Sequence, residues 1–158
     1  MINQQAAFFV SKSLEAFGSL NLDLAQLYLK QAIKIAPKDP NVLRLLGVVA
    51  AQKNLYDEAI LYFNASLRLA PKNSITWSNL GNVYLKLRNY DESIIRYDKS
   101  IKLDPEYDGA WVNKGNALQE LKRFDEAIAH YDRALSINPN YFEAWSNKGF
   151  TLHELQRF

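Results

Sequence analysis

The chain has 158 residues, of which 48% are hydrophobic and 23% charged, and its formal net charge at pH 7 is +2. This composition predicts a globular protein with a sizeable core, and the small charge argues against a nucleic-acid or membrane partner. The lack of cysteine excludes disulfides and thiolate metal sites, and no secretory signal or apolar run of about 20 residues is present. We therefore expect a cytoplasmic protein.

The sequence repeats itself at an interval of 34 residues. The recurring residues are Gly47, Gly81, Gly115 and Gly149, Pro37, Pro71, Pro105 and Pro139, and Trp77, Trp111 and Trp145. Unlike residue types that share one period indicate a stacked array of repeats, which offers a binding surface rather than a single cleft.

The units follow one another along the whole chain. They are predicted at residues 1–39, 40–73, 74–107, 108–141 and 142–158. The first is degenerate, with Ser13 at the glycine position, and is expected to cap the array. The last holds only a first helix, because no acidic pair follows Phe158, so we expect a piece of a longer array. The alternative is a lone final helix that serves as the cap.

Two helices are predicted in each unit. In residues 74–107 the first runs from Ile75 to Leu87 and carries Trp77 and Tyr84 on one stripe. The second runs from Asp91 to Leu103, with Asp91 as its cap and Pro105 after its end. The recurring glycine predicts close helix–helix approach, and the tryptophans are expected to anchor each helix pair.

One unit carries a complete family pattern. Its residues are Trp77, Leu80, Gly81, Tyr84, Ser93, Tyr97, Ser100 and Pro105. This spacing resembles the tetratricopeptide repeat, and nearly the whole chain follows it with substitutions. The resemblance implies an all-α, right-handed superhelical solenoid of antiparallel helix-turn-helix units whose first helices line a concave face. It also implies a non-catalytic module that binds a protein or an extended peptide on that face.

The resemblance places several polar side chains on the concave face. The candidate peptide-binding residues are Asn79, Asn82, Asn113, Asn116, Asn147, Arg44 and Lys86. A primary amide is both donor and acceptor, so amides at repeat spacing would hold a peptide backbone in register. This set resembles the asparagine ladder of O-linked N-acetylglucosamine transferases. Alternatively, the amides hydrogen-bond to a neighbouring helix, and the sequence leaves both interpretations open.

Catalysis has little support in the sequence. His130 and His153 fall in different units and are expected at the surface, and no phosphate-binding loop or metal-ligand spacing is present. We expect no enzymatic activity, cofactor or metal. A family clamp for acidic C-termini needs several basic residues on the first helices. At the corresponding sites Arg44 alone is basic, while Ser78 and Val112 are not.

Two other functions stay open. The chain could be the N-terminal substrate-recognition arm of a larger enzyme, such as a glycosyltransferase resembling O-linked N-acetylglucosamine transferase. It could also be a self-assembling scaffold, because the last helix should expose Leu152, Leu155 and Phe158.

Overall fold

The computed structural model describes residues 4–156, and this range contains nine α-helices and no strand. One compact unit, up to residue 72, holds α1 (Gln4–Gly18), α2 (Leu22–Ile35), α3 (Pro40–Gln52) and α4 (Tyr56–Leu69). The other, from residue 73, holds α5 (Ser74–Lys86), α6 (Tyr90–Leu103), α7 (Asp108–Glu120), α8 (Phe124–Ile137) and α9 (Phe142–Leu155). Helices pack in consecutive pairs within each unit, and α9 packs on α8. The predicted all-α repeat fold is confirmed.

Local signals set the helix ends. Side-chain oxygens cap α2, α3, α5 and α6, and they belong to Asn21, Asp39, Asn73 and Asn89. The prediction that Asp91 caps α6 is wrong, because α6 begins at Tyr90 and the Asn89 carboxamide accepts from the Glu92 N–H at 3.3 Å. Asp91 and Glu92 lie in the first turn, where their negative charges interact favourably with the positive end of the helix dipole.

The repeated glycine marks a helix–helix contact. A Cβ added to Gly115 would lie 2.5 Å from the ring of Tyr131, which is closer than side chains pack. The same contact recurs between Gly47 and Phe63 at 2.7 Å and between Gly81 and Tyr97 at 2.6 Å. The expected close approach is therefore present at these sites. At Gly149 it is not, because an added Cβ would meet nothing within 4 Å among the described residues.

The tryptophans are less buried than the sequence suggested, although Trp111 packs against the hydrophobic cluster that includes Tyr131 of α8. Tyr97 and Tyr131, on the second helices, are fully buried, whereas Trp111 is half-buried and Trp145 is 55% exposed. The Trp111 indole N–H donates to the carbonyl of Pro105 at 2.9 Å. This bond fastens the preceding loop to the first turn of α7.

Small buried serines also tie the hairpins together. Ser66 of α4 donates to the carbonyl of Pro40 at 2.7 Å, and Ser100 of α6 donates to the carbonyl of Ser74 at 2.8 Å. Each bond joins a second helix to the first residue of its partner helix.

Among the described helices, none combines the length and hydropathy that crossing a membrane requires.

Candidate functional site

A polar groove of about 470 Å³ runs along the second compact unit. It lies on the first helices of three successive repeats, α5, α7 and α9. Its charged and amide side chains are Lys86, Arg88, Asn116, Gln119, Glu120, Glu143 and Asn147, with Leu85 and Tyr90 completing the lining. Two pairs of equivalent positions, 34 residues apart, contribute to the lining, namely Leu85 with Gln119 and Lys86 with Glu120.

The charges in the groove are separated by sign. Lys86 and Arg88 lie at the end of α5 and in the turn after it, while Glu120 and Glu143 come from α7 and α9. The Tyr90 hydroxyl donates to Glu120 at 3.0 Å. Lys86, Arg88 and Glu143 form no ion pair with any other described residue. These three charges are therefore free to meet those of a partner.

Amides of α7 contact a buried tyrosine beneath the groove. The Tyr131 hydroxyl oxygen lies 2.9 Å from Asn116 Oδ1 and 3.1 Å from Gln119 Oε1. Asn147 of α9 donates to Asn116 Oδ1 at 2.8 Å. Burial raises the pKa of the Tyr131 phenol, so it keeps its proton and acts as a donor. The amides of α7 are thus bonded to Tyr131 of α8, and Asn116 is also bonded to Asn147 of α9.

The same arrangement occurs one repeat earlier. The Tyr97 hydroxyl donates to Asn82 Oδ1 at 2.7 Å. In the first compact unit the equivalent ring is Phe63, and the residue in place of asparagine is Val48. A repeat with tyrosine on its second helix therefore has asparagine on its first helix, and the repeat with phenylalanine has valine there. This pairing supports the interpretation that these asparagines bond to a neighbouring helix.

The predicted binding residues fall into separate places. Lys86, Asn116 and Asn147 line the groove together. Asn79 and Asn113 are half-buried, are not part of the groove lining and make no side-chain hydrogen bond within residues 4–156. The oxygen of Asn82 is occupied by Tyr97. The groove residues that the sequence did not single out include Gln119, which follows Asn116 by one helical turn.

Arg44 lies in the other compact unit. It donates to Asn41 Oδ1 at 2.6 Å and borders a cavity of about 100 Å³ lined mainly by apolar side chains such as Phe17 and Val48. Ser78 and Val112, which stand at clamp positions, are fully buried. Of these three clamp positions in the described residues, only Arg44 therefore carries a basic side chain.

One histidine differs from the expectation of a surface position. His130 is half-buried, with its ring centroid 5.4 Å from that of Trp111. Burial first, and then the positive charge of Lys114, lowers its pKa to about 4, so the ring is neutral at pH 7. Within the described residues no group of three or more His, Cys, Asp or Glu is arranged to hold a metal ion.

Comparison with protein families identifies the repeat along most of the chain. Models described as tetratricopeptide repeat match residues 11–74, residues 74–107 and 109–141, and residues 130–158. A comparison with curated proteins finds no match.

Solved structures show the same fold. A chain of the APC/C hetero-tetramer Cut9–Hcn1 superposes with a TM-score of 0.86 at 27% identity, covering 94% of this chain and 30% of that chain. The first TPR of Spaghetti (RPAP3), bound to the HSP90 peptide SRMEEVD, superposes with 0.71 at 26% identity, covering 74% and 93%. MamA 41-end from Desulfovibrio magneticus RS-1 gives 0.82 at 20% identity, covering 99% and 88%, and shows the fold alone.

Proposed function

This chain belongs to the tetratricopeptide repeat family, and from that premise we propose that it binds an extended segment of a partner protein in the groove formed by α5, α7 and α9. Members of the family are in general protein-interaction modules. The observation that carries the proposal is the groove itself. Charged side chains without an ion pair and the amides of α7 and α9 face one space there. Peptide binding by the similar RPAP3 repeat adds support.

The charge pattern indicates what the partner segment carries. Lys86 and Arg88 favour an acidic side chain at the α5 side, and Glu143 favours a basic side chain at the α9 side. The RPAP3 repeat is bound to SRMEEVD, which ends in three acidic residues and a valine arranged EEVD. The groove described here has both signs, so we expect a segment of mixed charge rather than a wholly acidic one.

Selected peptides test the proposal. Peptides would be selected from a random display library against the full chain, and their affinities measured with Lys86→Glu, Glu143→Lys and the double variant. Each single reversal should weaken binding by roughly tenfold, because like charges then face each other. The double variant should prefer peptides whose acidic and basic positions are exchanged.

The matched control is Lys34→Glu, which makes the same charge change at an exposed residue of α2. Its affinity should equal that of the unaltered chain. If all variants bind the selected peptides equally well, the groove is not the binding surface and the proposal fails.

Self-association is a second candidate, favoured by the surface of α9. Phe142 is 83% exposed, Trp145 and Phe150 are each 55% exposed, and Leu152 is 39% exposed. Leu155 is half-buried, and Phe158 lies outside the described residues. Apolar surface of this kind favours association. Sedimentation equilibrium should show reversible dimers that Phe150→Lys disrupts, and a strict monomer at high concentration would remove this candidate.

Attachment to a catalytic domain and a cytoplasmic location both stay predictions from the sequence.

A further inference from the structure

Two buried hydroxyl groups beneath the groove have too few protons for their contacts. The Tyr131 oxygen lies 2.9 Å from Asn116 Oδ1 and 3.1 Å from Gln119 Oε1. The Thr151 oxygen lies 2.7 Å from Gln119 Oε1 and 2.8 Å from the carbonyl oxygen of Asn147. Each hydroxyl carries a single proton. Four contacts between oxygen atoms therefore share two protons, and two contacts would be repulsive.

Turning the Gln119 amide removes this conflict. Exchange of its oxygen and nitrogen changes the shape of the side chain very little. Nε2 then donates one proton to Tyr131 and the other to Thr151. Tyr131 donates to Asn116 Oδ1, and Thr151 donates to the carbonyl of Asn147. Together with the bond from Asn147 Nδ2 to Asn116 Oδ1 at 2.8 Å, each of the five contacts now holds one proton.

The other orientations leave a gap. With Gln119 Oε1 directed inward, the single proton of Thr151 serves either Gln119 Oε1 or the Asn147 carbonyl, and the other of these two contacts has no proton. With the Asn116 amide reversed as well as that of Gln119, two nitrogens face the Tyr131 oxygen, and the hydroxyl proton has no acceptor. Tyr131 and Thr151 are both fully buried, so water cannot make up the missing bond.

We infer that α7 presents one donor and one acceptor to the groove, Asn116 Nδ2 and Gln119 Oε1, one helical turn apart. Asn147 Oδ1, whose amide nitrogen is used by Asn116, adds a second acceptor beside them. This inference rests on the proposed function, because it names the chemistry that the groove reads.

A peptide backbone fits this set better than a carboxylate does. Each residue of an extended chain directs its N–H and its C=O to the same side, so a strand can accept from Asn116 and donate to Gln119. These bonds do not depend on the partner's side chains. A carboxylate has acceptors only and would face the oxygens of Gln119 and Asn147. The ligand class is therefore an internal extended segment, and a C-terminal carboxylate is disfavoured at this position.

Side-chain amide exchange in the free protein tests the orientation. In the 15N-labelled full chain, Gln119→Glu and Asn116→Asp assign the two NH2 signals. The Gln119 protons should exchange with water much more slowly than those of the exposed Gln52, because both are bonded under the groove. The Asn116 protons should exchange nearly as fast as those of Gln52. Rapid exchange at Gln119, or slow exchange at Asn116, would overturn the inference.

Thr151→Val provides a second readout. Valine keeps the shape of threonine but cannot accept, so exchange of the Gln119 NH2 protons should rise severalfold. If Gln119 instead accepts from Thr151, this substitution leaves that exchange unchanged, and the inference is wrong.

These measurements need no ligand, so the two proposals can fail separately. Slow Gln119 exchange without peptide binding in the groove would leave the orientation standing and remove the proposed function. Peptide binding in the groove together with rapid Gln119 exchange would leave the proposed function standing and remove the orientation.

Discussion

At the scale of residues, the buried tyrosines explain why some asparagines recur. A buried hydroxyl requires a hydrogen-bond partner, and Asn82 supplies it for Tyr97 as Asn116 does for Tyr131. Phe63, the equivalent of Tyr97, has no hydroxyl, and Val48 stands at the position equivalent to Asn82. The asparagine at this position therefore accepts the hydrogen bond of the buried tyrosine in its own hairpin. This correspondence is visible in the sequence once positions 34 residues apart are compared in pairs.

A double-mutant cycle tests the pairing of Tyr97 with Asn82. Asn82→Val alone should lower the free energy of unfolding by about 1–3 kcal/mol, because the buried hydroxyl loses its acceptor. Adding Tyr97→Phe should recover most of that loss, since the pair then matches Phe63 and Val48. Urea unfolding measures both changes, and additive losses in the double variant would show that the two residues are not coupled.

The glycine contact predicts opposite outcomes for one substitution at two equivalent positions. Gly115→Ala forces a methyl group onto the ring of Tyr131 and should lower the free energy of unfolding by about 1–3 kcal/mol. Gly149→Ala meets open space and should leave it unchanged or raise it by up to about 1 kcal/mol, because alanine favours a helix. Thermal unfolding compares them, and equal effects would contradict the packing described for Gly115.

His130 makes stability depend on pH. Its pKa falls from 6.5 to about 4 in the folded chain, chiefly through burial and then through Lys114, while Asp98 and Glu126 oppose the shift. The unfolded chain therefore binds more protons between these values, so stability is lost as the pH falls from about 6.5 towards 4. Unfolding curves for His130→Gln should show a weaker loss over that interval. Parallel pH profiles for the two proteins would contradict this assignment.

At the scale of elements, the turn inside each hairpin stores backbone strain. Non-glycine residues adopt the left-handed region there, namely Leu20, Asn54, Arg88 and Lys122, with φ between 58° and 60°. At the first of these turns the N–H of Asn21 bonds to the carbonyl of Ala16 at 2.9 Å, which closes α1. Leu20 is 85% exposed, so it contributes strain and little packing.

Leu20→Gly should therefore stabilise the first hairpin. Removal of the Cβ relieves the left-handed backbone, and we expect the free energy of unfolding to rise by about 1 kcal/mol. Ser11→Gly, at an exposed site in the middle of α1, is the control and should lower it by a few tenths to about 1 kcal/mol. Equal destabilisation by both would show that the turn is not strained.

The helices themselves were largely predictable, and the groove only in part. Predicted bounds of 75–87 and 91–103 lie within one residue of α5 and α6, because the repeat marks both ends of each helix. Gln119 escaped prediction because its equivalents, Ala51, Leu85 and His153, are all different, so a search for periodic residues passes over it. The bond from Tyr131 that orients the amides also depends on ring position, which spacing alone does not show.

At the scale of the whole molecule, each helix is held by its neighbours, so stability varies along the chain. Within the second compact unit α7 buries six residues, whereas α9 buries Ala144 and Thr151. The groove joins these unequal elements, since Asn147 and Glu143 come from α9 and Asn116 from α7. A partner bound to both helices would add contacts to α9, which buries few residues of its own.

Mapping a bound peptide by NMR tests the central claim most directly. A peptide selected against the full chain would be titrated into 15N-labelled protein, and backbone amide shifts followed to saturation. We predict that the largest changes fall on α5, α7 and α9 around Lys86, Asn116 and Asn147, with slower exchange of amides in α9. Changes confined to another surface, such as the hollow lined by Trp77, Lys99 and Lys102, would contradict the account.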